Sequence, residues 1–155
     1  MDSYYAKIED IDKLRYFYSD HVRWLNPEAD FDLLREYFSC FGIRFDTDTY
    51  LGISLKEIKT AYSVGEHSTG YLCGFIKNGK VLSLAGVEFC SPNEWEICAV
   101  STHPDYTGNG FSKAVCSFIA KYILEHNRTA ICVTNPSNFA MQAVMRQIGM
   151  NRYYL

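Results

Sequence analysis

Residues 96–115 read Glu-Ile-Cys-Ala-Val-Ser-Thr-His-Pro-Asp-Tyr-Thr-Gly-Asn-Gly-Phe-Ser-Lys-Ala-Val. The stretch opens apolar and strand-like. After Gly110 the residues Phe111, Val115, Phe118, Ile119, Tyr122 and Ile123 fall on one helical face until Asn127 ends it. A strand therefore hands over to a helix through Gly108-Asn109-Gly110. Glycines in such a junction let backbone N–H groups turn toward one point, and the helix start adds the free donors of Gly110, Phe111, Ser112 and Lys113 together with the positive end of the helix dipole. That combination suits the pyrophosphate of a nucleotide cofactor, with Ser112 and Lys113 adding a hydroxyl and a charge. The loop is neither a G-K-[ST] phosphate loop nor a G-x-G-x-x-G fingerprint, since Lys113 holds the third glycine position. Taken alone, it also reads as a tight turn with no ligand.

Upstream, Tyr71–Ile76 and Val81–Phe89 read as strands joined at Asn78-Gly79, a hairpin signal, and Ser91-Pro92-Asn93 turns the chain into the strand Glu94–Thr102. Downstream, Ala130–Val133 is a short apolar run, and from Asn138 a second helix carries Ala140, Val144 and Ile148 before Gly149 stops it. Strand, helix, strand, helix in succession implies a parallel pair attached to an antiparallel sheet. In the first third, Tyr4–Ile8 reads as a short strand. Ile11, Leu14, Phe17 and Tyr18, then Phe31, Leu34, Tyr37, Phe38 and Phe41, recur at helical spacing, with Asp10 and Asp30 as caps and Asn26-Pro27 as the break. Two amphipathic helices are expected there, and a helical turn around Leu55–Tyr62. The fold class is α+β, with a mixed, mostly antiparallel sheet and a parallel strand pair around the helix that follows the glycine loop. Residues 1–155 are read as one domain.

Composition narrows the function. With 48% hydrophobic and 21% charged residues, 12 Tyr and 10 Phe, the chain has the balance of a globular protein. A net charge of −3 and a pI near 5.8, with no basic cluster, speak against nucleic acid as a partner. Six cysteines, Cys40, Cys73, Cys90, Cys98, Cys116 and Cys132, are scattered singly without C-x-x-C pairs, and no secretory leader is read at Met1-Asp2-Ser3. The four histidines are far apart, so no metal site is expected. The apolar runs fall short of the ~20 residues that span a bilayer. A cytoplasmic protein is expected.

The wider string EICAVSTHPDYTGNGFSKAV, followed by Asn138 and by Ile148-Gly149-Met150, resembles the GNAT acetyltransferase superfamily over roughly residues 70–150. The family pattern V-x-x-x-P-x-x-[RQ]-G-x-G-x-[GA] is met by Val100, Pro104, Gly108 and Gly110. Thr107 departs from Arg or Gln, and Ser112 from Gly or Ala. The resemblance implies acetyl-CoA as acetyl donor, held by Val100, Ser101, Thr102, Thr107, Gly108, Asn109, Gly110, Phe111, Ser112, Lys113 and Asn138. Backbone groups of Val100 and Thr102 would pair with the pantetheine arm. Locally, Asn138 reads equally well as a cap after Pro136.

Strand alternation puts Glu94, Glu96, Cys98 and Val100 on one face, with Trp95, Ile97, Ala99 and Ser101 on the other. Acetyl transfer to an amine needs the amine neutral, so Glu94 and Glu96 are the candidate bases. Similar enzymes carry a Glu at the distance of Glu94. Both carboxylates also read as solvated strand residues. Cys98 and Cys132 lie in apolar strands without a visible base and are read as packing rather than nucleophiles. Where similar enzymes commonly place a tyrosine that protonates the leaving thiolate, this chain has Met145, with Tyr153 and Tyr154 as substitutes. The function expected is an N-acetyltransferase acting by direct attack of a primary amine of a small molecule or peptide, with room for a homodimer. A non-catalytic acyl-CoA-binding regulatory module and a plain interaction domain are the alternatives.

Overall fold

The computed structural model describes residues 3–42, 49–50, 53–54 and 70–155. Its architecture grows from one hairpin. Strand β5 (Gly70–Lys77) turns at Asn78 and Gly79, both left-handed at φ 53° and 73°, into β6 (Lys80–Glu88). That is the two-residue turn whose twist matches paired strands. Strand β7 (Glu94–Thr102) adds antiparallel to β6. The chain then passes a short 3-10 turn at Pro104–Tyr106 into a helix, Phe111–Glu125, which returns it to β8 (Thr129–Thr134) parallel to β7. A helix at Phe139–Gln147 leads to the last strand, β9 (Asn151–Tyr153).

The amino-terminal strand β1 (Tyr4–Ile8) inserts between β8 and β9, antiparallel to both, and β2 (Val22–Leu25) pairs with β5 at the opposite edge. The seven-stranded sheet runs β2-β5-β6-β7-β8-β1-β9, with β7 and β8 its parallel pair. Thr49–Tyr50 (β3) and Ile53–Ser54 (β4) form a separate two-stranded ribbon.

Among the described residues three helices cover the sheet: α1 (Phe31–Ser39), α2 (Phe111–Glu125) and α3 (Phe139–Gln147). Residues on the two faces of β5 and β6 feed two clusters, with a register shift between Phe75 and Ile76 breaking strict alternation along β6. Leu72, Val81 and Leu84 pack with Leu34, Tyr37 and Phe38 of α1. Cys73, Phe75, Leu82, Ala85 and Val87 pack with Val115, Ile119 and Ile123 of α2. Side chains alternate across a strand, so α1 and α2 lie on opposite faces. Among the described residues no helix is long and apolar enough to cross a membrane.

The first of the two expected amino-terminal helices does not form. Asp10 caps only a 3-10 turn, Ile11–Lys13, by accepting from the Asp12 N–H at 2.9 Å. The chain then runs extended along α2. Arg15 N–H donates to the Ile148 carbonyl at 3.0 Å, and Phe17 N–H donates to Ser117 Oγ at 3.1 Å. Those donors would otherwise close helical turns, so tertiary partners override the spacing of Leu14 and Phe17. Trp24 anchors β2 by packing its ring edge-on to Phe118 and Tyr122 of α2, at 5.0 and 4.8 Å between centroids. The second helix is α1, but Asp30 at its start makes no cap bond within it. Its carboxylate takes both guanidinium nitrogens of Arg23 at 3.1 Å and the Asn26 N–H at 2.9 Å. The turn expected around Leu55–Tyr62 lies outside the described residues.

Candidate functional site

Strand β7 is irregular where the glycine loop approaches. Gly86 pairs with Cys98 but Leu84 pairs with Ser101, so two steps on β6 face three on β7. The extra residue is a β-bulge, and Ala99 takes a left-handed φ of 54° within it. The bulge reverses the alternation read from the sequence. Cys98 packs with the α1 cluster together with Ala99, but Val100 joins the α2 side. Val100 therefore does not share a face with Glu94, Glu96 and Cys98. The Ser101 hydroxyl meets Tyr37 Oη of α1 at 2.6 Å, whereas Thr102 Oγ1 meets Ser112 Oγ of α2 at 2.7 Å.

The parallel ladder between β7 and β8 stops early as well. It holds Glu94 to Thr129, Trp95 to Ala130 and Glu96 to Ile131, and no further pair follows. Past Glu96 the two strands part and leave a cleft. A cavity of about 470 Å³ lies at the parted end of β7, walled by the glycine loop and α3. All eleven residues of the expected cofactor set line this cavity, from Val100, Ser101 and Thr102 through the loop Thr107–Lys113 to Asn138. Tyr106 and the α3 residues Ala140, Met141, Ala143, Val144 and Gln147 complete the wall. Sequence reasoning missed these six; for the five on α3, which face turns toward the loop is set by tertiary packing.

The loop is built to present donors. Gly108 and Gly110 both adopt left-handed backbone, at φ 81° and 79°, on either side of Asn109. The Asn109 amide tightens the turn by donating to the Tyr106 carbonyl at 2.9 Å. No side chain caps α2, and its first turn holds no acidic residue, so its leading N–H groups face the cavity side uncapped. Ser83 Oγ, fully buried, donates to the Ser101 carbonyl at 2.8 Å and lies 2.9 Å from Thr102 Oγ1. With Ser112 this makes a hydroxyl chain that locks β6, β7 and the start of α2 together. His103 shapes the approach, its Nδ1 accepting from Asp105 N–H at 3.1 Å. Asn138 is a cap in fact: its Oδ1 accepts from Met141 N–H and its Nδ2 donates to Thr134 Oγ1, each at 3.1 Å.

The profile of the acetyltransferase (GNAT) family matches residues 13–150. The chain belongs to this family. GNAT proteins of known structure share its fold. A GNAT-family protein of Novosphingobium aromaticivorans superposes with a TM-score of 0.74 at 14% identity, covering 97% of this chain and 59% of its own. A GNAT acetyltransferase of Colwellia psychrerythraea gives 0.66 at 16% identity, covering 97% and 52%. The ribosomal-protein-S18-alanine N-acetyltransferase of Escherichia coli gives 0.61 at 20% identity, covering 86% and 78%. The chain spans 47% to 59% of the length of the first three structures it resembles. No curated protein matches it in sequence.

Neither candidate base of this GNAT chain lines the cavity. Glu94 is exposed at the start of β7. Glu96 is half-buried, and burial, then the charge of Glu88, raise its carboxyl above the usual range against a weaker opposing bond from Cys90. Glu88, Cys90 and Glu96 bring their ligand-type atoms within 4.8 Å of one another. Cys132 is buried in the core, and that burial holds its thiol well above the ordinary value. Met145 is fully buried in the core, away from the cavity wall. Tyr153 sits on β9, paired with Tyr5, and neither it nor Tyr154 lines the cavity.

Proposed function

We propose that this chain is an acetyl-CoA-dependent N-acetyltransferase that acylates a primary amine of a small molecule or peptide by direct attack. The observation that carries the reading is the cavity at the parted end of β7, where the loop donors and the edge of β7 left unpaired by β8 meet. The residues fit the donor molecule. Left-handed Gly108 and Gly110 and the uncapped start of α2 offer N–H groups to a pyrophosphate, and the unpaired edge at Val100 and Thr102 offers backbone groups to a pantetheine amide. Acetyl-CoA supplies the activated acyl carbon.

The chain's own part is to orient and to move protons. Glu96, rather than Glu94, is our base, acting directly or through water. Its raised pKa brings it nearer the operating range of a general base. Strand N–H groups beside the bulge would hold the carbonyl oxygen as charge develops. With Met145 buried, the thiolate leaves unassisted, which a thiol pKa of about 8.5 tolerates. The Escherichia coli neighbour, named for acetylating an alanine of ribosomal protein S18, makes a peptide amine a sensible first acceptor to assay.

The same buried Met145 favours a second reading, a non-catalytic acyl-CoA-binding module. A melting-temperature shift and a thiol-release assay on a panel of amines separate the two. Ligand at about 100 times its Kd should add about 2.7 kcal/mol. No shift at millimolar acetyl-CoA would defeat both readings, and a shift without release of CoA on any amine would favour the module.

A further inference from the structure

A second cavity of about 400 Å³ lies beside the first. Tyr106, Asn109 and Phe111 line both, so the two cavities share the loop as a wall. The far wall of this second cavity is the tip of the β5–β6 hairpin, with Lys77, Asn78 and Lys80. Lys77 and Lys80 are partners across the turn, which places their side chains on one face. Phe111 stacks on Phe75 of β5 at 4.2 Å between centroids, fixing the loop against the hairpin.

The two lysines are available to a ligand. Among the described residues Lys77 has no ion pair. Lys80 lies 3.9 Å from Glu36, with both side chains more than half exposed (56% and 58%), a contact weak enough to exchange. In a chain of net charge −3, two ammonium groups beside a cluster of backbone donors mark this corner for an anion.

We propose that Lys77 and Lys80 bind the 3′-phosphate of coenzyme A. The inference rests on the acetyl-CoA reading above. The adenosine ribose carries the pyrophosphate on its 5′ oxygen and a phosphate monoester on its 3′ oxygen. A pyrophosphate seated on Gly108–Lys113 therefore puts the monoester one ribose away, within reach of the neighbouring cavity. A dianionic monoester is the group that paired lysines attract best. The site makes the protein selective for coenzyme A thioesters over their 3′-dephospho counterparts.

Calorimetric titration of the full chain and of the Lys77→Gln/Lys80→Gln variant with acetyl-CoA and with 3′-dephospho-acetyl-CoA tests this. The parent should bind acetyl-CoA more tightly by about tenfold, a preference that salt weakens. The variant should lose the preference while keeping the parent's affinity for the dephospho compound, which also shows that it is folded. Equal affinities in the parent, or a preference that survives in the variant, would overturn the assignment and leave the acetyl-CoA reading standing. A variant that loses both ligands would overturn it too, because the lysines would then serve the pyrophosphate or the fold. A parent that binds neither compound would bring down the acetyl-CoA reading itself.

Discussion

Glu96 carries a conflict between stability and chemistry. Its carboxyl is half-buried beside Glu88, so its pKa in the folded chain is raised. The folded state therefore favours the protonated form, and the stability this contributes is complete below the unfolded carboxyl pKa and lost as pH rises through the higher folded value. Near neutral pH the charged form is a burden on the fold. Glu96→Gln should then raise the melting temperature slightly while lowering the acetylation rate and removing the acidic limb of the pH profile. Glu94→Gln should change neither by much. A Glu96→Gln variant with unaltered rate and pH dependence would move the base elsewhere. Met145 makes the opposite case. Its spacing after Asn138 invites a replacement by tyrosine to supply an acid, but the side chain is fully buried with Ile148 and Met150 around it. Met145→Tyr should cost about 1–3 kcal/mol by overpacking and leave the rate no higher, read by chemical denaturation and thiol release. The residue types at both positions were plain in the sequence. Their burial was not, because it depends on strands and helices distant in the chain.

At the scale of elements, the loop before α2 and the turn between β5 and β6 form a matched pair. Gly110 and Gly79 are both left-handed, at φ 79° and 73°, and neither has a backbone or core atom crowding the space a Cβ would take. Alanine at either position should cost a similar ~1–2 kcal/mol of stability through backbone strain alone. Only Gly110→Ala should also weaken acetyl-CoA binding, since only that backbone belongs to the proposed phosphate nest. Equal losses of affinity would count against the nest. Most elements from Tyr71 onward were legible because each keeps its own period and punctuation, such as Asn78-Gly79 or the cap at Asn138. The bulge at Ala99 was not. A run of Cys-Ala-Val-Ser carries no turn residue, and the left-handed backbone there arises from how β7 must meet β6. The first expected helix failed for a related reason: Leu14 and Phe17 have helical spacing, yet their stretch finds backbone partners on Ser117 and Ile148.

For the whole molecule, β1 completes the sheet from the opposite end of the chain. It supplies both ladders that join β8 to β9, with Tyr4, Ala6 and Ile8 buried. Removing residues 1–9 should strip two strands of their partner and turn a monodisperse protein into an aggregating one, measured by light scattering. A truncated chain that stays folded and binds acetyl-CoA as the parent does would show that β1 is dispensable. By itself the sequence determined the local grammar of the domain: the hairpin, the strand-loop-helix unit with its two glycines, the crossover to a parallel strand, and hence the GNAT family. Those signals lie between neighbours in the chain, where spacing and backbone freedom suffice. Only the tertiary structure decided that β7 and β8 part after Glu96, that α3 closes the cavity, that Glu96 rather than Glu94 is half-buried, and that the hairpin lysines stand beside the loop. Each of those depends on surfaces brought together from distant segments, and sequence spacing carries no record of which surfaces meet.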